Sequence, residues 1–175
     1  MRLNAKELRD LEEKKAMGEI KEVKRNPISF ILENIYDTYN IGGLFRLADA
    51  LAIEKIYLCG DTEIPPNSRI KKASIGTYKI VPWEYKKTAK EAIDDLKTTY
   101  GVKLVAVEQH ETAVDYRKAD YSLPLALLFG NETYGVLPET LKIVDQIVEI
   151  PMWGINKSLN VIVSAAIVSY RVISK

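Results

Sequence analysis

At 175 residues, with 47% apolar and 28% charged side chains, the chain has the size and composition of one globular domain with a full core, which excludes disorder. A formal net charge of +1 excludes a strong overall field toward a polyanion and leaves only a local basic patch for such a partner. The single cysteine, Cys59, cannot close an internal disulfide and fits a reducing, cytoplasmic setting, and the single histidine, His110, without clustered ligands, argues against a metal site.

Residues 1–25 alternate acids and bases at spacings such as Asp10–Lys14, which predicts a solvated helical extension interrupted near Gly18. A surface appendage is the favoured reading of this segment over an RNA-gripping arm, and nothing in it resembles a signal peptide. From residue 26 to 175 the chain reads as one domain in which apolar runs alternate with helical periodicity. Predicted strands are 28–34, 55–59, 78–82, 103–107, 124–129 and 146–150, and predicted helices 42–52, 66–74, 88–100, 138–144 and 158–174. Several strands are continuous apolar runs, as when both sheet faces are covered, so the fold class is α/β with a parallel sheet. Residues 159–173 are apolar but short for a bilayer and carry Asn160, Ser164 and Ser169, so they read as a buried helix and not as a membrane span. That helix is apolar nearly all round, which predicts a second subunit against part of it and hence a homodimer.

Ligands of parallel sheets bind beyond the carboxyl ends of the strands, so the polar residues there are the candidate site. After the first strand, Asn40 reads as an N-cap, with Gly42 and Gly43 opening backbone amides to a phosphate and Arg46 projecting from the apolar face. On spacing alone, a surface ion pair of Arg46 with Asp49 or another acid is the favoured reading, against a role on phosphate or ribose. After the fifth strand, Gly130-Asn131-Glu132-Thr133-Tyr134-Gly135 brackets a carboxylate with glycines; Glu132 is placed to accept from amides of neighbouring loops or to orient Arg46. A plain tight turn is the alternative. After the last strand, the loop Pro151-Met152-Trp153-Gly154-Ile155-Asn156-Lys157 leads to Ser158, which reads as the N-cap of the last helix. Asn160 then falls in the first turn of an apolar helix, where a buried amide needs a partner. A dinucleotide-binding oxidoreductase is excluded by the absence of a GxGxxG fingerprint.

In this order and spacing, Asn40-x-Gly42-x-x-x-Arg46, Phe129-Gly130-Asn131-Glu132-x-x-Gly135 and Ile150-Pro151-Met152-x-Gly154-x-x-x-Ser158-Leu159-Asn160-Val161 resemble the three motifs of the SpoU (TrmH) family of RNA ribose methyltransferases, in the SPOUT superfamily. Lys72-Ala73-Ser74-Ile75-Gly76 is similar to the family's Ser-x-Gly segment, and the likeness spans roughly residues 28–170. The resemblance implies a parallel-sheet SPOUT fold with a deep C-terminal trefoil knot, S-adenosylmethionine bound in it, no metal, a homodimer with the site near the interface, and methyl transfer to a ribose 2′-hydroxyl of tRNA or rRNA. Carried over residue by residue, it implies Gly130, Asn131, Glu132, Ile150, Met152, Ser158 and Leu159 around the cofactor. It also implies Arg46, Asn40, Ser158, Asn160 and Glu132 at the reacting ribose. The resemblance implies Arg46 as the base; a guanidinium is a poor base, so Arg46 is read as a contact of the ribose oxygen and a neighbouring phosphate, with its partners deciding whether it takes the proton. With no separate RNA-binding domain evident, RNA recognition is expected on the N-terminal helix, the basic stretch Arg69, Lys71 and Lys72, and the dimer surface. The competing class is a non-catalytic RNA-binding protein on the same fold.

Overall fold

The structure, a computed structural model, describes residues 23–174 of the chain, so most of the predicted N-terminal helix lies outside the described residues. Seven strands form one parallel sheet: β1 (Asn26–Glu33), β2 (Ile53–Cys59), β3 (Trp83–Lys86), β4 (Lys103–Val107), β5 (Val114–Asp115), β6 (Leu125–Phe129) and β7 (Gln146–Glu149), in the order β3-β2-β1-β6-β4-β7-β5. Helices α1 (Thr38–Ala50), α2 (Ser68–Ser74), α3 (Ala89–Tyr100), α4 (Pro138–Leu141) and α5 (Val161–Ile173) connect or follow them, with a 3₁₀ turn at Thr77–Lys79.

The period-2 alternation of the strands sorts the core into two layers. Phe30 and Leu32 of β1, Ile56 and Leu58 of β2, and Leu127 and Phe129 of β6 face the layer built on α1 and α5. Ile31, Tyr57, Cys59, Ala126 and Leu128 face the layer built on α3. Phe30 and Phe129 meet edge to face at 5.3 Å, a pairing that contributes roughly 0.5–1.5 kcal/mol beyond burial and locks β1 to β6 in the middle of the sheet. Burial pushes the Cys59 thiol up to about 12, so it stays neutral and inert, as expected of a core cysteine.

The parallel architecture agrees with the sequence; several boundaries do not. Residues 78–82 form no strand. Gly76 and Ile75 adopt left-handed conformations that turn the chain into the 3₁₀ segment, and the third strand begins only at Trp83, beyond Pro82. This four-residue strand, WEYK, lies at the sheet edge and is half polar, so it lacks the apolar run that marks a covered strand. The two-residue β5 is too short to register at all. Helix α4 ends at Leu141, three residues short of its predicted end at 144. Arg25, assigned to the extension, belongs to the fold: its guanidinium donates to the carbonyls of Ile53 (2.9 Å) and Ile80 (2.8 Å), tying the start of β1 to β2 and the turn before β3.

Candidate active site

The carboxyl ends of the four adjacent strands β1, β6, β4 and β7 open into one cavity of about 760 Å³, a size suited to a cofactor or drug-sized molecule. Each strand sends its following loop to the wall. Tyr36, Asp37 and Asn40 come from β1–α1, Phe129–Gly135 from β6–α4, Glu108 and Gln109 from beyond β4, and Ile150, Met152, Asn156 and Ser158–Val161 from the segment between β7 and α5.

Glu132 is the hub of the inner wall. One carboxylate oxygen accepts from Asn40 Nδ2 at 2.9 Å, and the backbone N–H groups of Tyr36 and Asp37 approach the two oxygens at 3.4 Å. Asn40 Oδ1 in turn accepts from Asn160 Nδ2 at 2.9 Å, and Asn160 Oδ1 accepts from the backbone N–H of Ile162 at 2.8 Å. A chain of amides therefore runs from the first turn of α5 to a carboxylate, with a donor at one end and an acceptor at the other fixing how both side chains point. Asn131 supports it from behind: its Nδ2 donates to the Asn34 carbonyl at 2.7 Å, and its Oδ1 accepts from the N–H groups of Thr133 and Tyr134.

The glycines bracketing this loop are there for close approach. A Cβ on Gly130 would lie 2.2 Å from the backbone nitrogen of Val136, and Gly135 combines φ of +71° with the Glu108 carboxylate against its open side. Glu108 accepts from the N–H groups of Val136 (2.9 Å) and Gln109 (2.8 Å), joining the β4 and β6 loops. Gln109 donates from its side-chain amide to the Lys157 carbonyl, which fastens the last loop to the β4 loop. Below the cavity, Glu33 is buried at the end of β1, accepting from Leu137 N (2.9 Å) and Thr140 Oγ1 (2.7 Å) at the start of α4; burial pushes its carboxyl above the ordinary range.

Gly130, Asn131, Glu132, Ile150, Met152, Ser158 and Leu159 all line the cavity, as do Asn40 and Asn160. Arg46 does not. It lies exposed on α1, outside the lining of the cavity and without an ion pair among the described residues, so its predicted pairing with Asp49 is absent; the charge that acts on Asp49 is Arg25. Lys71 and Lys72 are exposed on α2, away from the cavity, and Arg69 lines a separate shallow cleft.

Three local readings are corrected. The N-cap of α1 is Asp37, whose side chain accepts from Tyr39 N at 2.7 Å; Asn40 sits within the helix, its amide committed to Glu132 and Asn160. The N-cap of α5 is Asn160 and not Ser158, which is exposed and has only a long 3.5 Å contact to Asn156. Gly42 and Gly43 are not open to a phosphate. A Cβ on Gly42 would meet Ala73 at 2.4 Å and one on Gly43 would meet Ile162 at 2.4 Å, so both serve the packing of α1 against α2 and α5. Ser74 accordingly lies buried behind α1, outside the lining of this cavity. Glu108, Gln109 and Tyr36 were missed by sequence reading. The carboxyl-end rule, applied to β4 as to the other strands, would have found the first two.

The cavity has an electrostatic bias. Asp37, Glu108, Glu132 and Glu149 line it, together with the apolar Phe129, Ile150, Met152 and Leu159, and among the described residues no Lys or Arg does. Among the described residues there is no cluster of three or more potential metal ligands, and no helix is long and apolar enough to cross a membrane.

Residues 27–170 match the SpoU rRNA Methylase family. The chain belongs to this family. It is 30% identical over 152 residues to the tRNA (guanosine(18)-2′-O)-methyltransferase of Escherichia coli K12, covering 85% of this chain and 64% of that protein. It is 33% identical over 149 residues to the enzyme of the same name from Thermus thermophilus, covering 85% and 75%. The AdoMet-bound rRNA methyltransferase from Sinorhizobium meliloti superposes with a TM-score of 0.79 at 29% identity over 86% of this chain and 57% of that one. The Aquifex aeolicus TrmH/SpoU tRNA modifying enzyme gives 0.79 at 27% identity, covering 93% and 81%. This SpoU chain thus spans under two thirds of the E. coli and S. meliloti proteins and more of the other two.

Proposed function

We propose that the protein is an S-adenosylmethionine-dependent RNA methyltransferase that modifies a ribose 2′-hydroxyl, with tRNA as its substrate. The observation that carries the reading is the Glu132–Asn40–Asn160 chain at the wall of the cavity, built from all three family motifs. The named activities of the relatives support 2′-O transfer to tRNA. The residues fit the cofactor: apolar side chains of Phe129, Ile150, Met152 and Leu159 suit an adenine and a thioether chain, and the carboxylate-rich wall suits a sulfonium charge. S-Adenosylmethionine supplies an activated methyl group, so no metal is needed.

The protein's own part is to hold the hydroxyl in line and assist loss of its proton. Asn40, Ser158 and Asn160 orient the ribose, and Glu132 keeps Asn40 pointed. The acidic wall repels phosphate, so a cation must be brought to it. Arg46, Lys71 and Lys72 face solvent elsewhere on the protomer. We assign the exposed stripe of Val163, Tyr170 and Ile173 on α5, extended by Trp153 and Ile155, to a homodimer interface. In that dimer Arg46 of the second copy binds the ribose oxygen and a neighbouring phosphate. The strand order supports the knot of the family reading: β7 lies between β4 and β5, so the β4–β6 connection runs out past β7 and back. We take residues 26–175, with Arg25 tied to them, as the methyltransferase domain of a cytoplasmic protein, and the charged residues before Arg25 as its N-terminal extension.

Labelled S-adenosylmethionine with total tRNA and rRNA tests the reading. The expected product is ribose-methylated tRNA, abolished by Arg46→Ala with the fold intact. Calorimetry with S-adenosylhomocysteine separates the alternatives. No binding and no methylation would leave a non-catalytic RNA-binding protein, and full activity in Arg46→Ala would remove that residue from the mechanism.

A further inference from the structure

Among the described residues, Asn34, Ala52 and Ile75 are the non-glycine residues with left-handed backbone. Ala52 and Ile75 stand at the ends of α1 and α2, where a left-handed residue is a common way to stop a helix. Asn34 follows a strand. Its φ is 55° at the point where β1 ends and the chain turns toward the cavity. Outside glycine this conformation is uncommon, and asparagine tolerates it better than most, so something at this position requires it.

The bonds around the turn show what it achieves. The Asn34 carbonyl accepts from Asn131 Nδ2 at 2.7 Å, and the N–H groups of Tyr36 and Asp37 approach the Glu132 carboxylate at 3.4 Å. Two successive residues of the β6–α4 loop are thus met by one short stretch after β1. The turn is pinned from its far side as well. Asn34 Oδ1 accepts from Asp61 N at 3.0 Å, and Asn34 N donates to the Cys59 carbonyl at 3.1 Å. Gly60 leaves room for this, because a Cβ there would lie 2.2 Å from Asn34 Oδ1. Thr62 completes the bracket: its buried hydroxyl accepts from Ile35 N at 3.0 Å and donates to the Cys59 carbonyl at 2.8 Å. The β2–α2 loop lies outside the lining of the cavity, yet it is fastened to the wall that holds Glu132.

We propose that Asn34 is a positioning residue for methyl transfer, acting through Asn131 to hold the β6–α4 loop where Glu132 keeps Asn40 on the ribose. The inference rests on the proposed methyltransferase reading and adds to it a residue outside the cavity lining. Asn131 Oδ1 is occupied by the N–H groups of Thr133 and Tyr134, which sets the turn of its own loop. Its Nδ2 is the group that ties this loop back to β1. Loss of the left-handed turn re-aims the Asn34 carbonyl, frees Nδ2 and removes the backing of the 2.9 Å Glu132–Asn40 bond. Aspartate tolerates the same backbone and keeps the acceptor for Asp61 N–H, whereas alanine does neither.

The test measures tRNA methylation and S-adenosylhomocysteine calorimetry for Asn34→Asp, Asn34→Gly, Asn34→Ala and Asn131→Ala, and for the Gly and Ala changes each combined with Asn131→Ala. Asn34→Ala is expected to lower kcat about tenfold, while KM for tRNA and affinity for S-adenosylhomocysteine stay within about threefold. Asn34→Asp should restore kcat to within about threefold of wild type, and Asn34→Gly, which keeps the turn but loses the Asp61 tie, should fall between them. Once Asn131 is alanine, either change at Asn34 should cost less than about twofold more. A residue that only supports the fold would instead lower melting temperature, cofactor affinity and kcat together, and its effect would add to that of Asn131→Ala. Should Asn34→Ala fail to fold, the ranking of Asp above Gly and the cycle with Gly decide the question. Additive losses, wild-type kcat in Asn34→Ala, or an Asn34→Asp variant no faster than the Gly one overturns the proposal. When the wild type binds S-adenosylhomocysteine and methylates RNA, such a result removes Asn34 alone; a wild type that does neither removes the methyltransferase reading first, and this role with it.

Discussion

The two walls of the main cavity are built on opposite terms. On one, the β1–α1 and β6–α4 loops hold each other through Glu132, Asn131, Asn40 and Glu108, with nearly every polar group committed to a partner. On the other, residues 153–160 are all exposed; Asn156, Ser158, Leu159 and Asn160 line the cavity, Trp153 at 84% and Ile155 at 103% lie outside its lining, and the last loop is held mainly by Gln109 on the Lys157 carbonyl and by the Asn160 cap. A wall saturated with its own hydrogen bonds is preorganised and keeps its shape without a ligand. A wall of exposed apolar side chains gains most when something covers it. On the proposed function, the first wall is the rigid part of the site, and the second, which carries Ser158 and Asn160, is the part completed by what binds against it.

The comparison breaks most completely at Gly130. Alanine there places a methyl 2.2 Å from backbone and not from a flexible side chain, so the β6–α4 loop has to move. Gly130→Ala is expected to cost about 3 kcal/mol of stability and to abolish S-adenosylhomocysteine binding, by denaturant unfolding and calorimetry. An unperturbed variant would show that the first wall is not rigid. Next comes Asn40→Asp, nearly isosteric, which sets a carboxylate 2.9 Å from that of Glu132 and replaces a donor by a repelling charge. The expected loss is about 2–3 kcal/mol of transition-state stabilisation, or roughly 30- to 150-fold in kcat/KM. Affinity for the cofactor should change far less. A variant with wild-type kcat/KM would remove the amide chain from ribose orientation.

How much of this could be read from the sequence follows the same division. The central strands were legible because both faces are covered and their apolar runs are unbroken; β3 and β5 were not, being short edge strands with little burial to pattern them. Asn40, Glu132 and Asn160 were singled out for their chemistry, but their mutual bonds cross 92 and 120 residues of sequence, which local periodicity does not encode. The caps were misplaced for a related reason. Any of several Ser, Asn or Asp residues satisfies the capping rule locally, and tertiary partners decide which one is free to cap. Gly42 and Gly43 looked like phosphate ligands because a missing side chain reads the same whether its space receives an anion or Ile162.

Glu33 gives a smaller, pH-dependent test of the first wall. Burial raises its carboxyl above the free value, so between that value and the raised one the folded state holds a proton that the unfolded chain has lost. Its contribution to stability is therefore fully present at low pH, below the ordinary glutamate range, and is lost as pH rises through the raised value. Glu33→Gln keeps an acceptor for Leu137 N–H, and its amide can donate to the Thr140 hydroxyl, so at acid pH the variant should unfold within about 1 kcal/mol of wild type. Asp49 is also raised, which makes the difference between variant and wild type the informative curve. That difference should move in favour of the variant as pH rises. A flat difference would mean that the buried charge under the cavity carries no cost.

The smallest expected change in protomer stability is at the second wall, and it is the most discriminating. Trp153 and Ile155 are exposed and, unlike Met152 and Leu159, do not line the cavity, so they lose almost nothing on replacement in an isolated protomer. Trp153→Ser with Ile155→Ser should leave the unfolding free energy of the protomer within about 0.5 kcal/mol of wild type. If these side chains are covered by a second copy, the same variant should dissociate at concentrations where the wild type sediments as a dimer, and its melting temperature should fall and lose the dimer's dependence on concentration. A dimer that survives intact would place the interface on the α5 stripe of Val163, Tyr170 and Ile173 alone. A monomeric wild type would instead leave the covering of this wall to RNA and cofactor, with Arg46 then acting from its own protomer.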